Sequence, residues 1–360
     1  MSAPLVSERT PSEPVVAGVA ALSGRAQADW PRVTVAILAF NRRDAVRITL
    51  SKTLSELDYP SDALDVILVD NASTDGTAKM VAEEFPTVRL MHLERNVGMA
   101  GINQAFAAAQ GKWCLALDDD CWIDGPSLKL AVAAAEANRA DLVTFRVRSS
   151  KVDGYFFTDS GLLSFWGCAA LISHRALTLL DGYDPFIFIW NNELEFTMRF
   201  LDAGLRHLFL RDVTAVHMKS PTTEFQPRAH TFALRHAGYA AAKLLSATDA
   251  ARVVGRLMLV ITLDVVAQAP MAARSFPALV EGVRAGLRAR QPIRPEVSAV
   301  YRDNFTTFFN PLRFLRTPRE RLASWTGSGN RAKDDGEMHW EAFRRSRPRY
   351  FPEQTALLQL

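Results

Sequence analysis

From residue 33 onward, short apolar β-branched runs alternate with stretches whose apolar residues recur at helical spacing, and few folds accommodate that alternation. Val33-Thr34-Val35-Ala36-Ile37-Leu38 reads as a buried strand, and Val46, Leu50, Leu54 and Leu57 then recur as on one helix face. Val66-Ile67-Leu68-Val69 is a second buried strand, followed by a helix marked by Ala78, Val81 and Phe85. Val88 to Leu93 reads as a third strand, Ile102 to Ala109 as a helix and Trp113 to Leu117 as a fourth strand. Strands separated by helices predict an α/β fold, with a mostly parallel Rossmann-like sheet covered by helices on both faces.

Past Asp120 the pattern loosens. Pro126 opens a helix, Asp141 to Val147 is a strand, and residues 148 to 166 read as loop around Gly154 and Gly161. Cys168 to Ile172 is a strand, Glu193 to Leu201 a helix stopped by Gly204, and Val213 to Val216 a last strand. From Phe232 the chain reads as mostly helical. Residues 253 to 267 are apolar but carry Arg256 and Asp264, which falls short of the ~20 predominantly apolar residues of a spanning helix.

The most informative feature is where the acids fall. Asp70 follows the second strand, and Asp118-Asp119-Asp120 follow the fourth. Parallel strands share one carboxyl edge, and ligands bind in the crevice there, so the two acidic sites belong on one rim. Three successive aspartates ending a buried strand repel one another unless something offsets the charge, and a hard cation such as Mg²⁺ or Mn²⁺ does so. A solvated acidic turn is the plainer reading, and placement at the end of an apolar strand weighs against it. An EF-hand is excluded, because Trp122 and Lys129 stand at positions that require ligands.

Other nucleotide folds fail on their own motifs. A dinucleotide-binding domain needs glycines after its first strand, but Ala39-Phe40-Asn41-Arg42-Arg43 stands there. No GxxxxGK[ST] loop and no GxSxG elbow occurs. What remains is a nucleotide site built on acidic side chains and a metal.

At this point the residues resemble family 2 of the inverting glycosyltransferases, which have the GT-A fold. The likeness runs from about Val33 to His217. It rests on Ala39-Phe40-Asn41-Arg42, on Val69-Asp70-Asn71-Ala72-Ser73-Thr74-Asp75-Gly76-Thr77, and on Arg95-Asn96-Val97-Gly98. It continues through Leu117-Asp118-Asp119-Asp120 and Glu193-Leu194-Glu195-Phe196, and ends on Val216-His217. The resemblance implies a nucleotide-sugar site of Ala39, Phe40, Asn41, Arg42, Asp70, Asn96, Gly98, Asp118 and Asp119. Asp70 would hold the base, Asp118 would lie near the ribose, and Asp120 with His217 would hold the metal. A run of three leaves the register open, so Asp119 could stand for either neighbour, and His217 also reads as a plain surface histidine.

Glu193 falls at the catalytic-base position, where the family usually has aspartate, often preceded by an acid where Asn192 stands here. A glutamate can also take the acceptor's proton. Glu195 reads instead as the partner of Arg199 on the outer helix face. Asp153 and Asp159 are the next candidates for the base. Trp166, Gly167, Trp190 and Asn191 fall on the acceptor side, and both tryptophans also read as plain core.

The expected function is inverting, Mn²⁺- or Mg²⁺-dependent hexosyl or deoxyhexosyl transfer from a UDP- or dTDP-linked sugar. The acceptor would be a hydroxyl of a glycan, glycolipid or small molecule, in bacterial polysaccharide or glycoconjugate synthesis. Two rivals are weighed. A nucleotidyltransferase would want a glycine-rich basic loop near the N-terminus, where Gly18, Gly24 and Arg25 are too sparse. A catalytically weak nucleotide-sugar-binding scaffold is the reading outside enzymes, raised by the change at Glu193.

Length and charge set the remainder. At 360 residues, 48% hydrophobic and 22% charged, the chain suits one large α/β domain plus an appendage, or two modest domains. We read residues 1–29 as a flexible tail, 30–232 as the catalytic domain, 233–300 as a helical region and 301–360 as a charged tail. A signal peptide is not favoured, since Glu8 and Glu13 precede the short apolar stretch. A formal charge of +3 argues for no nucleic-acid partner. Three cysteines without CxxC spacing fit a reducing compartment, hence the cytoplasm. Arginines beside the apolar stretches of 233–300 suit packing on the domain, a homodimer contact, or peripheral binding at the inner face of the cell membrane.

Overall fold

A computed structural model describes residues 29–157, 164–219, 227–266 and 272–308. The expectations for the tail before residue 29, for Asp159 and Gly161, and for the stretch beyond 308 lie outside the described residues.

Eight strands form one sheet: β1 (Val33–Ala39), β2 (Leu64–Asp70), β3 (Arg89–His92), β4 (Trp113–Asp118), β5 (Cys121–Ile123), β6 (Leu142–Ser149), β7 (Ala169–Ser173) and β8 (His207–His217). Their order is β3-β2-β1-β4-β7-β6-β8-β5. The first four strands are parallel to one another, as their helical connections require. β7 is antiparallel to both β4 and β6, β8 runs parallel to β6, and β5 is antiparallel to β8.

The helices are α1 (Arg43–Glu56), α2 (Thr77–Glu84), α3 (Asn103–Ala108), α4 (Ser127–Ala137), α5 (His174–Leu180) and α6 (Asn192–Asp202). They continue with α7 (Pro227–Leu244), α8 (Ala247–Val266), α9 (Ala272–Arg288) and α10 (Pro295–Phe308). Alternation within the strands makes two cores. Val33, Val35 and Ile37 of β1 join Val46 and Leu50 of α1 and the alanines of α4 on one face. Ala36, Ile67 and Val69 belong to the other core, which runs through α5 and α6 into Leu234, Ala237, Ala241 and Leu244 of α7 and on to α8 and α10.

Several expectations shift. The boundary read at 232/233 falls inside α7, and that at 300/301 inside α10. The helix read from Ile102 begins as a 3₁₀ turn, Gly98–Ile102, before α3. The strand read at Val213 begins at His207, because Leu208 and Leu210 also face the core. Its pairing with β6 skips from Phe145↔Leu210 to Arg146↔Thr214, and that break across residues 211–213 hid the first half. Among the described residues no helix is long and apolar enough to cross a membrane.

Candidate active site

Strand register gathers the acids. Ala39 pairs with Asp70 across β1–β2, and Leu38 pairs with Asp118 across β1–β4, so the ends of all three strands lie level. His217, last residue of β8, pairs with Cys121 just after the acidic run, and the Met218 N–H donates to the Asp120 carbonyl at 2.9 Å.

The three aspartates face different ways. Ligand atoms of Asp118, Asp120 and His217 all lie within 4.8 Å of one another, with His217 Nε2 at 3.0 Å from Asp120 Oδ1. Asp119 turns instead toward the chain after β1, where it accepts from the Phe40 N–H and the Arg42 guanidinium, each at 3.3 Å. Its carbonyl takes the Thr49 hydroxyl at 3.0 Å, tying the run to α1. Arg42 also reaches Asp120 at 2.5 Å.

The electrostatics follow from burial. Desolvation, reinforced by Asp120, pushes the Asp118 carboxyl up. Desolvation lifts Asp119 to about 7 against the pull of Arg42. Burial also works against ionised Asp120, but His217 and Arg42 outweigh it and hold that carboxyl below the usual range. The cluster thus keeps one firmly ionised acid, Asp120, beside two that resist ionisation. Mn²⁺ or Mg²⁺ fits this donor set of carboxylate oxygens and an imidazole, and His217 Nδ1 is buried without a partner.

Asp70 is fully buried, its Oδ1 accepting from the Ser73 N–H at 3.2 Å and its Oδ2 lying 2.7 Å from His92 Nδ1. Asn41 has φ 52°, and its Oδ1 accepts from the Thr74 N–H at 2.7 Å, which closes the turn after β1 over the turn after β2. The side chain of Asn71 donates to Asn96 Oδ1 at 2.9 Å and to the Gly98 carbonyl at 3.0 Å. Gly98 has φ +69°, and a Cβ there would fall 2.1 Å from the Phe188 carbonyl oxygen, so only glycine fits.

Glu193 is the second residue of α6, and its carboxylate lies against Gly167, where a Cβ would come within 1.8 Å of Oε1. Among the described residues no cation pairs with it. Desolvation, with the Asp118 charge adding to it, raises its pKa to about 7. Trp190 and Asn191, the two residues before α6, have φ of 58° and 65°. Left-handed non-glycine residues cost about 1–3 kcal/mol each and persist only where their surroundings impose them. Trp190 packs against Phe232, and Trp166 packs against Phe157 with Lys219 Nζ 5.6 Å from its ring.

Two readings need amendment. Glu195 does pair with Arg199, but the pair is not on an outer face: Glu195 is 0% exposed and also meets Lys243 Nζ of α7 at 2.8 Å. Asp153 is exposed on the loop after β6. His92 went unread, although it ends β3 level with Asp70, and the strand-end rule that selected the aspartates would have found it.

Comparison with known proteins finds likeness in sequence and in fold. The sequence family described as Glycosyl transferase family 2 matches residues 34–192. The succinoglycan biosynthesis protein ExoO of Rhizobium meliloti (strain 1021) is 30% identical over 126 residues, covering 34% of this chain and 35% of ExoO. The poly(ribitol-phosphate) β-N-acetylglucosaminyltransferase TarS of Staphylococcus aureus (strain Mu50) is 30% identical over 104 residues, 28% of this chain and 18% of TarS. The chain thus spans about a third or less of these relatives. Among solved structures, the mannosyltransferase PcManGT from Pyrobaculum calidifontis, in complex with GDP-Man and Mn²⁺, superposes with a TM-score of 0.50 at 18% identity, covering 90% of this chain and 93% of that one. S. aureus TarS 1–349 gives 0.51 at 17% identity, covering 81% and 91%. At such identities the shared feature is the fold, GT-A.

Proposed function

We propose, since residues 34–192 make this chain a member of glycosyltransferase family 2, that it is an inverting, metal-dependent glycosyltransferase working from a nucleoside-diphosphate sugar. The observation that carries this reading is the convergence of Asp118, Asp120 and His217 on one point of the sheet edge, level with Asp70. The two neighbours speak for the donor class: PcManGT is in complex with GDP-Man, and TarS 1–349 also with UDP-GlcNAc.

The roles divide as follows. Asp70 and the turn at Phe40 and Asn41 take the base, with Asn96 and Gly98 shaping the wall beside them. Asp120 and His217, with Asp118 alongside, would hold Mn²⁺ or Mg²⁺. The ion, when bound, neutralises charge on the departing diphosphate. Glu193 accepts the proton of the acceptor hydroxyl as that oxygen attacks the anomeric carbon from the face opposite the leaving group. Gly167 answers the departure from the family's usual aspartate: the absence of a side chain there leaves room for the longer acid. Trp166, Trp190 and Asn191 flank the acceptor. By likeness to ExoO and TarS, the acceptor is a glycan or glycolipid in polysaccharide synthesis.

The test offers UDP-, dTDP- and GDP-linked sugars with Mn²⁺ and follows release of the nucleoside diphosphate. Turnover should vanish in EDTA and return with Mn²⁺ or Mg²⁺. Full activity in EDTA refutes the metal assignment.

The outward faces of α8 and α9 add a proposal about place. Met258, Leu259, Val265, Val280 and Leu287 are exposed there beside exposed Arg252, Arg256, Arg274, Arg284 and Arg288. This composition supports peripheral attachment to an anionic bilayer on the cytoplasmic side. Flotation with anionic vesicles at low salt should carry the protein up, and recovery should fall as salt rises. A protein that stays at the bottom at low salt leaves packing between two copies as the reading of these faces.

A further inference from the structure

The loop from Asp184 to Asn191 leads into α6, and α7 grips it in three places. Tyr239 Oη and Lys243 Nζ donate to Asp184 Oδ2 at 2.7 and 2.5 Å. The Phe186 ring stacks on Tyr239 with centroids 4.2 Å apart, and Arg235 donates to the Phe186 carbonyl at 3.3 Å. At the far end the Asn191 amide donates to the Ala233 carbonyl at 2.8 Å, and His236 Nδ1 lies 3.1 Å from the Trp190 carbonyl.

His236 is wholly buried, and its two nitrogens meet partners of opposite kinds. The Trp190 carbonyl can only accept, so Nδ1 carries the proton. The Arg235 guanidinium, 3.2 Å from Nε2, can only donate, so Nε2 presents its lone pair. The contact at Nε2 requires the neutral ring, and desolvation keeps it so, lowering its pKa to about 4. The bond from Nδ1 falls on the first of the two left-handed residues, three positions before Glu193. Asn191, held in the left-handed region, makes no side-chain cap on α6, and its Nδ2–H donates to α7. The direction in which α6 starts is therefore held from outside the helix.

We infer that His236 is a positioning residue for the Glu193 carboxylate, its Nδ1–H fixing the Trp190–Asn191 backbone so that the first turn of α6 sets Glu193 against Gly167. The inference rests on the reading of Glu193 as the base. It also makes α7 part of the catalytic unit, although the matched family segment ends at residue 192.

The test uses the full chain with Mn²⁺ and UDP-GlcNAc, GDP-mannose and dTDP-glucose in turn. The donor that turns over is kept, and its nucleoside diphosphate serves as the binding probe. Asparagine can place an N–H donor near the position of Nδ1, whereas leucine has similar bulk and no donor, and glutamine carries its donor nearer the position of Nε2. His236→Leu should lower kcat by roughly 10–10²-fold, the scale of a misplaced catalytic group, with the Kd of the diphosphate nearly unchanged. His236→Asn should recover most of that loss and His236→Gln little of it. Equal kcat in the Asn and Leu variants, or a Kd that weakens in step with kcat, overturns the inference. Should the Leu variant not fold, the Asn–Gln contrast decides in the same way. Glu193→Gln is measured beside them: a fall there without one in His236→Leu overturns the positioning role alone, and no fall in Glu193→Gln overturns the base.

Discussion

At the residue scale, Glu193 is fitted against Gly167. A methyl group at residue 167 would occupy the space of the carboxylate, so the acid has to move or turn. Gly167→Ala should cut kcat by about 10²-fold, and Gly167→Ala with Glu193→Asp should recover part of it, because the shorter acid vacates that space. A double variant no better than Gly167→Ala would mean that the clash acts elsewhere. The raised pKa of Glu193, about 7, gives a second expectation. The base must be ionised, so kcat should climb through pH 7 and level off above it. Asp119 also lies at about 7, and Glu193→Gln separates the two by abolishing that limb together with most of the rate. A limb unchanged in the residual rate assigns it to Asp119. The strand-end rule made Asp70 and the acidic run legible in the sequence. It could not say which of three successive aspartates faces which way, since that depends on contacts with Phe40, Arg42 and His217.

At the scale of elements, the parallel half of the sheet was legible because each strand there is an apolar run between amphipathic helices. The second half was less so. β5 has only three residues, β8 is broken in register, and α5 has seven residues, too few to show a period. Glu195 shows why spacing can mislead. Its i,i+4 match to Arg199 reads as a surface pair, yet α7 covers it and adds Lys243. Removing one partner of a buried ionic group costs ~3–5 kcal/mol, because the others are left without compensation. Glu195→Gln should therefore destabilise the fold by about that much in urea unfolding, while the folded fraction keeps the proposed base, Glu193. A loss below ~1 kcal/mol, the scale of an exposed pair, would contradict the buried network.

At the scale of the whole molecule, the strand–helix alternation read as an α/β fold and the pattern past Phe232 as helical, but neither showed how the two join. The apolar core on one face of the sheet passes without interruption into α7, α8 and α10, and the ion pairs of Lys243 and the bond from His236 cross the same junction. No periodicity within a segment reports which distant helix will cover it, so the boundary read at 232/233 cut a helix that packs on the loop leading into α6. The molecule as a whole is proposed to place one base, Glu193, opposite a leaving diphosphate held at Asp118, Asp120 and His217. That arrangement commits the reaction to a single displacement. The most direct test is the anomeric configuration of the first-formed product, read by proton NMR from an α-linked nucleotide sugar that the enzyme turns over with Mn²⁺. A β-configured product is predicted, and an α-configured product would contradict the account.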